Sequence, residues 1–141
     1  MDAKGSKWNT VLFGAYCGLM LWLLFARGGP IEGIRWNLTP FRTVTRYVRL
    51  LDSARTTLVR LAAVNLFGNV IMFIPLGFFL PRVFGGLRKL WKTLFVTVLI
   101  ISLVEIAQFF TRMGCCDIDD LILNIIGAAI GYGLYRLRGS K

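Results

Sequence analysis

From Leu61 to Leu80 the chain carries no charged side chain. Wound as an α-helix, this block is roughly 30 Å long, the thickness of a bilayer's hydrocarbon core. In water it would need enclosure on every side, and a chain of 141 residues has too little mass to supply it. Three further blocks share its character. Asn9 to Ala26 is free of charge, Thr93 to Thr111 carries only Glu105, and Asp119 to Tyr135 is apolar after its opening aspartates. The expectation is an all-α, polytopic membrane protein forming one domain over residues 1–141. Its four transmembrane helices are expected over about residues 9–26, 61–80, 93–111 and 119–135. Pro75 lies inside the second block, where a membrane helix tolerates it because neighbouring groups satisfy the freed carbonyl.

Composition agrees, with 56% hydrophobic residues, 17% charged residues and a mean hydropathy of +0.65. Lys4 and Lys7 ahead of the first block raise the question of a signal peptide. The end of that block reads Leu24-Phe25-Ala26-Arg27, which puts no small residue three before a cut, so an uncleaved helix is expected.

The net charge is +10, from 17 Lys and Arg against 7 Asp and Glu. The basic residues lie between the apolar blocks, where anionic lipid headgroups meet them; no nucleic-acid motif appears, and no nucleic-acid partner is expected. In the long connection from Arg27 to Arg60, Gly28-Gly29-Pro30 breaks the first helix. Val44, Tyr47, Val48, Leu51, Ala54 and Leu58 then recur at helical spacing, with Arg42, Arg46, Arg49 and Arg60 largely opposite. This predicts an amphipathic helix in the membrane interface with Arg42, Arg46 and Arg49 toward phosphates, the alternative being a solvated helix packed on the bundle. With the N-terminus inside, inner segments hold nine basic residues and outer ones eight. Charges close to span ends weigh most, which favours both termini inside.

The chain has no histidine, which removes the commonest general base and the usual zinc ligands. Cys17, Cys115 and Cys116 read as small apolar fillers, so no metal and no cofactor are expected.

Ionisable groups inside a span cost roughly 2.5–3.5 kcal/mol on insertion scales and need a partner or a use. Glu105 is the clearest case; Gln108 and Arg112, three and seven residues on, share its helix face. Asp117, Asp120 and Asn124 follow at three- and four-residue steps, and Asn65 and Asn69 are four apart. The second span begins, the third ends and the fourth begins on one side of the membrane, so all eight residues fall in one leaflet and are expected to converge on a ligand site. The structural alternatives are that Asp117 or Asp119 caps the fourth helix, that the asparagines join helices, and that Glu105 is the counter-charge to Arg112. Gly127 and Gly131 form a G-x-x-x-G pair that predicts close packing of the fourth span on the second or third, or dimerisation through the same pair.

Read in order, Asn37-Leu38-Thr39-Pro40-Phe41, Asn65-Leu66-Phe67-Gly68-Asn69 and Phe73-Ile74-Pro75-Leu76-Gly77 continue into Glu105-Ile106-Ala107-Gln108 and Asp117-Ile118-Asp119-Asp120-Leu121-Ile122-Leu123-Asn124-Ile125-Ile126-Gly127. This ordered set, over roughly residues 37 to 135, resembles the VanZ-like family of bacterial membrane proteins; Cys115-Cys116 departs from it where an apolar or aromatic residue is expected. The resemblance implies a multi-helix protein of the cell envelope, in the cytoplasmic membrane. The family takes its name from a protein that lowers susceptibility to the glycopeptide teicoplanin, and it brings no settled biochemical activity. Three functions follow as expectations. The first is a binding protein whose pocket engages a lipid-linked or glycopeptide ligand. The second is a membrane enzyme acting on an anionic or polyprenyl-linked lipid, with Glu105 or Asp120 as acid or base. The third is a small proton-coupled carrier, which would need a homo-oligomer.

Overall fold

A computed structural model of the chain describes residues 3–26, 36–51, 56–112 and 116–139. Arg27, the Gly28-Gly29-Pro30 break, Arg35, Ala54, Arg55, Cys115 and Lys141 lie outside the described residues. The elements run α1 (Ala3–Ala26), β1 (Trp36–Asn37), α2 (Arg42–Leu51), α3 (Thr56–Val83), α4 (Leu90–Thr111), β2 (Cys116–Asp117) and α5 (Ile118–Gly139). Among the described residues, four helices, all but α2, are long and apolar enough to cross a membrane. Each extends past its apolar block, because flanking polar residues continue the backbone hydrogen bonding with their side chains in a wetter layer. Helix α3 runs through both Pro75 and Pro81.

The frame is the pair α3 and α5. A methyl group on Gly77 would overlap the Ala128 carbonyl, one on Gly127 the Val70 carbonyl, and one on Gly131 the Ile74 carbonyl. Absent side chains let the two backbones touch, so the G-x-x-x-G pair packs the fourth span against the second. Phe73, Leu76 and Leu80 of α3, Ile101 of α4 and Met20 of α1 fill the core. Helix α1 leans on α3, where the Tyr16 hydroxyl donates to the Met72 carbonyl at 2.8 Å, one turn before Pro75. At the opposite end, Thr93 Oγ1 donates to the Leu87 carbonyl at 2.6 Å and Tyr132 Oη to the Arg88 carbonyl at 2.7 Å, tying down the turn between α3 and α4.

The outer surface is that of a membrane protein. Ile71, Phe95, Leu103 and Phe110 are exposed around the middle and one end of the bundle. The four tryptophans are exposed too, Trp8 and Trp91 toward one side and Trp22 and Trp36 toward the other, as an interfacial aromatic belt requires.

One detail differs from expectation. The fold carries a two-residue parallel ladder, with Trp36 opposite Cys116 and Asn37 opposite Asp117. Of the amphipathic pattern between Val44 and Leu58, Val44 to Leu51 lie on α2 and Leu58 on α3, while residues 52–55 lie outside the described residues. Helix α2 packs on α3 and α5 through Thr43, Val44, Tyr47 and Leu50, while Val48 turns outward with Arg42, Arg46 and Arg49.

Candidate functional site

Two polar constellations occupy the side of the bundle where α3 and α5 begin and α4 ends. The first is a clasp. Asp119 is fully buried, and its carboxylate accepts backbone N–H bonds from Phe41, from Thr43 at 2.7 Å and from Val44 at 3.0 Å. These are orphan donors of the first turn of α2, so α5 supplies the N-cap of α2 from another part of the chain, and the negative charge suits that helix end. Phe41, at φ 63, turns the backbone into this position. Asp117 completes the clasp. It accepts from the Asp119 N–H at 2.9 Å, capping its own helix, from Asn37 Nδ2 at 3.1 Å and from Thr43 Oγ1 at 2.6 Å. Asn37 Nδ2 also donates to Thr43 Oγ1 at 3.0 Å. Hydrogen bonds to a charged acceptor contribute about 1.5–3 kcal/mol each, so the clasp is a strong fastening.

The second constellation is a small cavity of about 140 Å³ between α1, α3, α4 and α5, lined by Leu24, Asn69, Phe73, Ile101, Val104, Glu105, Gln108, Asp120 and Asn124. Asn69 Nδ2 donates to Asp120 Oδ1, and Gln108 Nε2 donates to the Leu24 carbonyl at 2.9 Å, which closes α1 over the cavity. Glu105 Oε2 and Asn124 Oδ1 are buried without a partner. Such groups cost about 1–3 kcal/mol each when unsatisfied, and more when charged. A larger groove of about 600 Å³ adjoins it between α1 and α3, lined mainly by apolar side chains including Leu19, Leu23, Val64, Ile71 and Pro75. Leu24, Asn69 and Gln108 line both spaces.

Of the eight residues expected to converge, Asn69, Glu105, Gln108, Asp120 and Asn124 line the cavity. Asn65 stands one turn before Asn69 and lines the groove. Asp117 is engaged in the clasp. Arg112 is exposed in the left-handed turn that ends α4, at φ 58, and is not paired with Glu105. The seven-residue spacing assumed a continuing helix, and the left-handed residue takes the side chain off that face. Arg42, Arg46 and Arg49 are exposed and border a shallow groove with Thr39 and Phe41. Of the two aspartates offered as caps of the fourth helix, Asp117 caps it and Asp119 caps α2; Asn37 and Thr43 had no expected role in the site. The signal available for Asn37 is the Asn-Leu-Thr-Pro turn, in which Asn37 Oδ1 accepts the Thr39 N–H at 3.3 Å.

Among the described residues, no group of three or more His, Cys, Asp and Glu is placed to hold a metal ion. The polar atoms gathered at the cavity are carboxyls and carboxamides, suited to hydrogen bonding and to charge recognition.

Protein VanZ of Enterococcus faecium is 36% identical over 101 residues, which are 72% of this chain and 52% of that protein. The chain thus spans about half the length of the curated relative it matches. No solved structure matches it. The family model described as VanZ/LLP1 matches residues 13–139, taking in the clasp, the cavity, three of the apolar helices and the second half of α1, and the chain is a membrane protein belonging to the VanZ/LLP1 family.

Proposed function

We propose that this protein binds a membrane amphiphile, lipid-linked or glycopeptide, in the bacterial cell envelope and so lowers susceptibility to glycopeptides such as teicoplanin. The observation that carries the reading is the junction of two unlike spaces. An apolar groove open along α1 and α3 runs into a polar cavity through the shared residues Leu24, Asn69 and Gln108. That is the shape of a molecule with a hydrocarbon chain and a polar head. The protein sits in the cytoplasmic membrane with both termini inside, so that the clasp and cavity occupy the outer leaflet, where lipid-linked wall intermediates and glycopeptides meet. Arg42, Arg46 and Arg49, exposed on α2, attract phosphate at that surface.

An enzyme using Glu105 and Asp120 as acid and base is the second reading, since the two carboxyls share one cavity. The binding reading is preferred because none of the described residues lining the cavity is a Ser, Thr, Cys or Lys nucleophile.

The test compares cells making the wild-type chain, Glu105→Gln or Gly68→Phe. Gly68 lines the groove with open space where its side chain would be, so a phenyl ring there fills the groove rather than the core. Wild type is expected to raise the inhibitory concentration of teicoplanin above that of vector cells and to retain lipid in native mass spectrometry. Gly68→Phe should lose both properties, and Glu105→Gln the raised inhibitory concentration, at unchanged membrane abundance. Retention of lipid and phenotype by both variants would contradict the proposal.

A further inference from the structure

The cavity holds carboxyls with no cation lining it, and its hydrogen bonding leaves acceptors over. Two carboxyl groups, Glu105 and Asp120, line it without a Lys or Arg, in a chain whose net charge is +10. Arg112 and Arg60, on the same side of the bundle, both point to the exterior. The amides of Asn69 and Gln108 direct donors to Asp120 and to the Leu24 carbonyl. Acceptors remain in excess. Glu105 Oε2 has no partner, and neither does Oδ1 of Asn124, a residue only 5% exposed.

We infer that the cavity receives the primary ammonium group of an amphiphile whose chain lies in the groove between α1 and α3, an inference that rests on the amphiphile reading above. An ammonium brings one positive charge and three N–H donors. Two of them match Glu105 Oε2 and Asn124 Oδ1, and the third faces the Asp120 carboxyl. Competing occupants meet only part of this demand. Water donates but carries no charge; a quaternary ammonium carries the charge but has no N–H. The space of about 140 Å³ admits an ammonium with the methylenes next to it and a water, whose own share of liquid volume is about 30 Å³. A primary ammonium on a lipid has two sources, an aminophospholipid headgroup and the free amine of a peptide carried on a lipid.

The test is a competition on the purified full-length protein, read by native mass spectrometry. The probes are short-chain phosphatidylethanolamine, phosphatidylcholine, phosphatidylglycerol and an acylated peptide with a free lysine amine. At least one primary amine should outbind phosphatidylcholine and phosphatidylglycerol by about tenfold, or 1.4 kcal/mol, and the tighter of the two names the source. Glu105→Gln and Asn124→Leu should erase the preference, whereas Gly68→Phe should weaken all four probes together. Equal binding of all four, with Gly68→Phe still weakening them, overturns the ammonium inference and leaves the amphiphile reading standing. Binding of none overturns both. The comparison on the wild-type chain decides even if a variant fails to fold.

Discussion

Asp119 and Asp120 are neighbours in the chain, but a rotation of about 100° per helical residue sends them into different regions. Asp119 enters the clasp, where backbone donors from the first turn of α2 saturate its carboxylate. Asp120 enters the cavity, where it meets Asn69 and shares space with Glu105 and Asn124, both of which retain unpartnered acceptors. The clasp satisfies its acceptors within the chain; the cavity leaves Glu105 Oε2 and Asn124 Oδ1 without a partner. A buried carboxylate with all its hydrogen bonds made inside the chain fastens structure, and one beside unpartnered acceptors is the place proposed above for recognition. The two regions share helix α5, so substitutions can be chosen that break both, one or neither.

The largest effect is expected where the shared frame is attacked. Gly131→Leu drives a side chain into the Ile74 carbonyl and separates α5 from α3. It should abolish the folded protein, seen as loss of a monodisperse peak in detergent and rapid turnover in cells. Asp119→Ala should break the clasp alone. Leaving the α2 donors without their acceptor is expected to cost about 3–5 kcal/mol and to free the α2 segment to proteolysis. Thr43→Val removes one hydroxyl between Asn37 and Asp117 and should cost about 1.5–3 kcal/mol in the same unfolding measurement. Arg46→Ala, exposed and outside both regions, should change stability by less than about 0.5 kcal/mol while weakening retention on anionic vesicles.

The four spans and their depth relations were legible in the sequence because hydropathy is a local property and connectivity fixes which ends share a leaflet. Five of the eight named polar residues accordingly meet in one cavity. The clasp was not legible because its partners are 74 to 80 residues apart and one side of it is backbone N–H, which leaves no trace in residue type. Asp117 and Asp120 carry the same carboxyl group, and spacing alone cannot tell which is saturated. Arg112 was misplaced for another reason: periodicity holds only while the helix does, and α4 ends there in a left-handed residue. The junction of groove and cavity depends on where α1 leans, which the Gln108 to Leu24 bond fixes and no pattern in α1 announces.

The contrast between the two regions is tested most directly by unfolding Asp119→Asn and Glu105→Gln side by side in the same detergent. Asp119→Asn turns an amide N–H₂ toward backbone donors and should lose about 2 kcal/mol or more. Glu105→Gln keeps an acceptor, brings N–H donors into a cavity with unpartnered acceptors and removes one of its two carboxyls, so its stability should equal or exceed that of wild type. If Glu105→Gln unfolds as readily as Asp119→Asn, the cavity is a second fastening and the division drawn here is wrong.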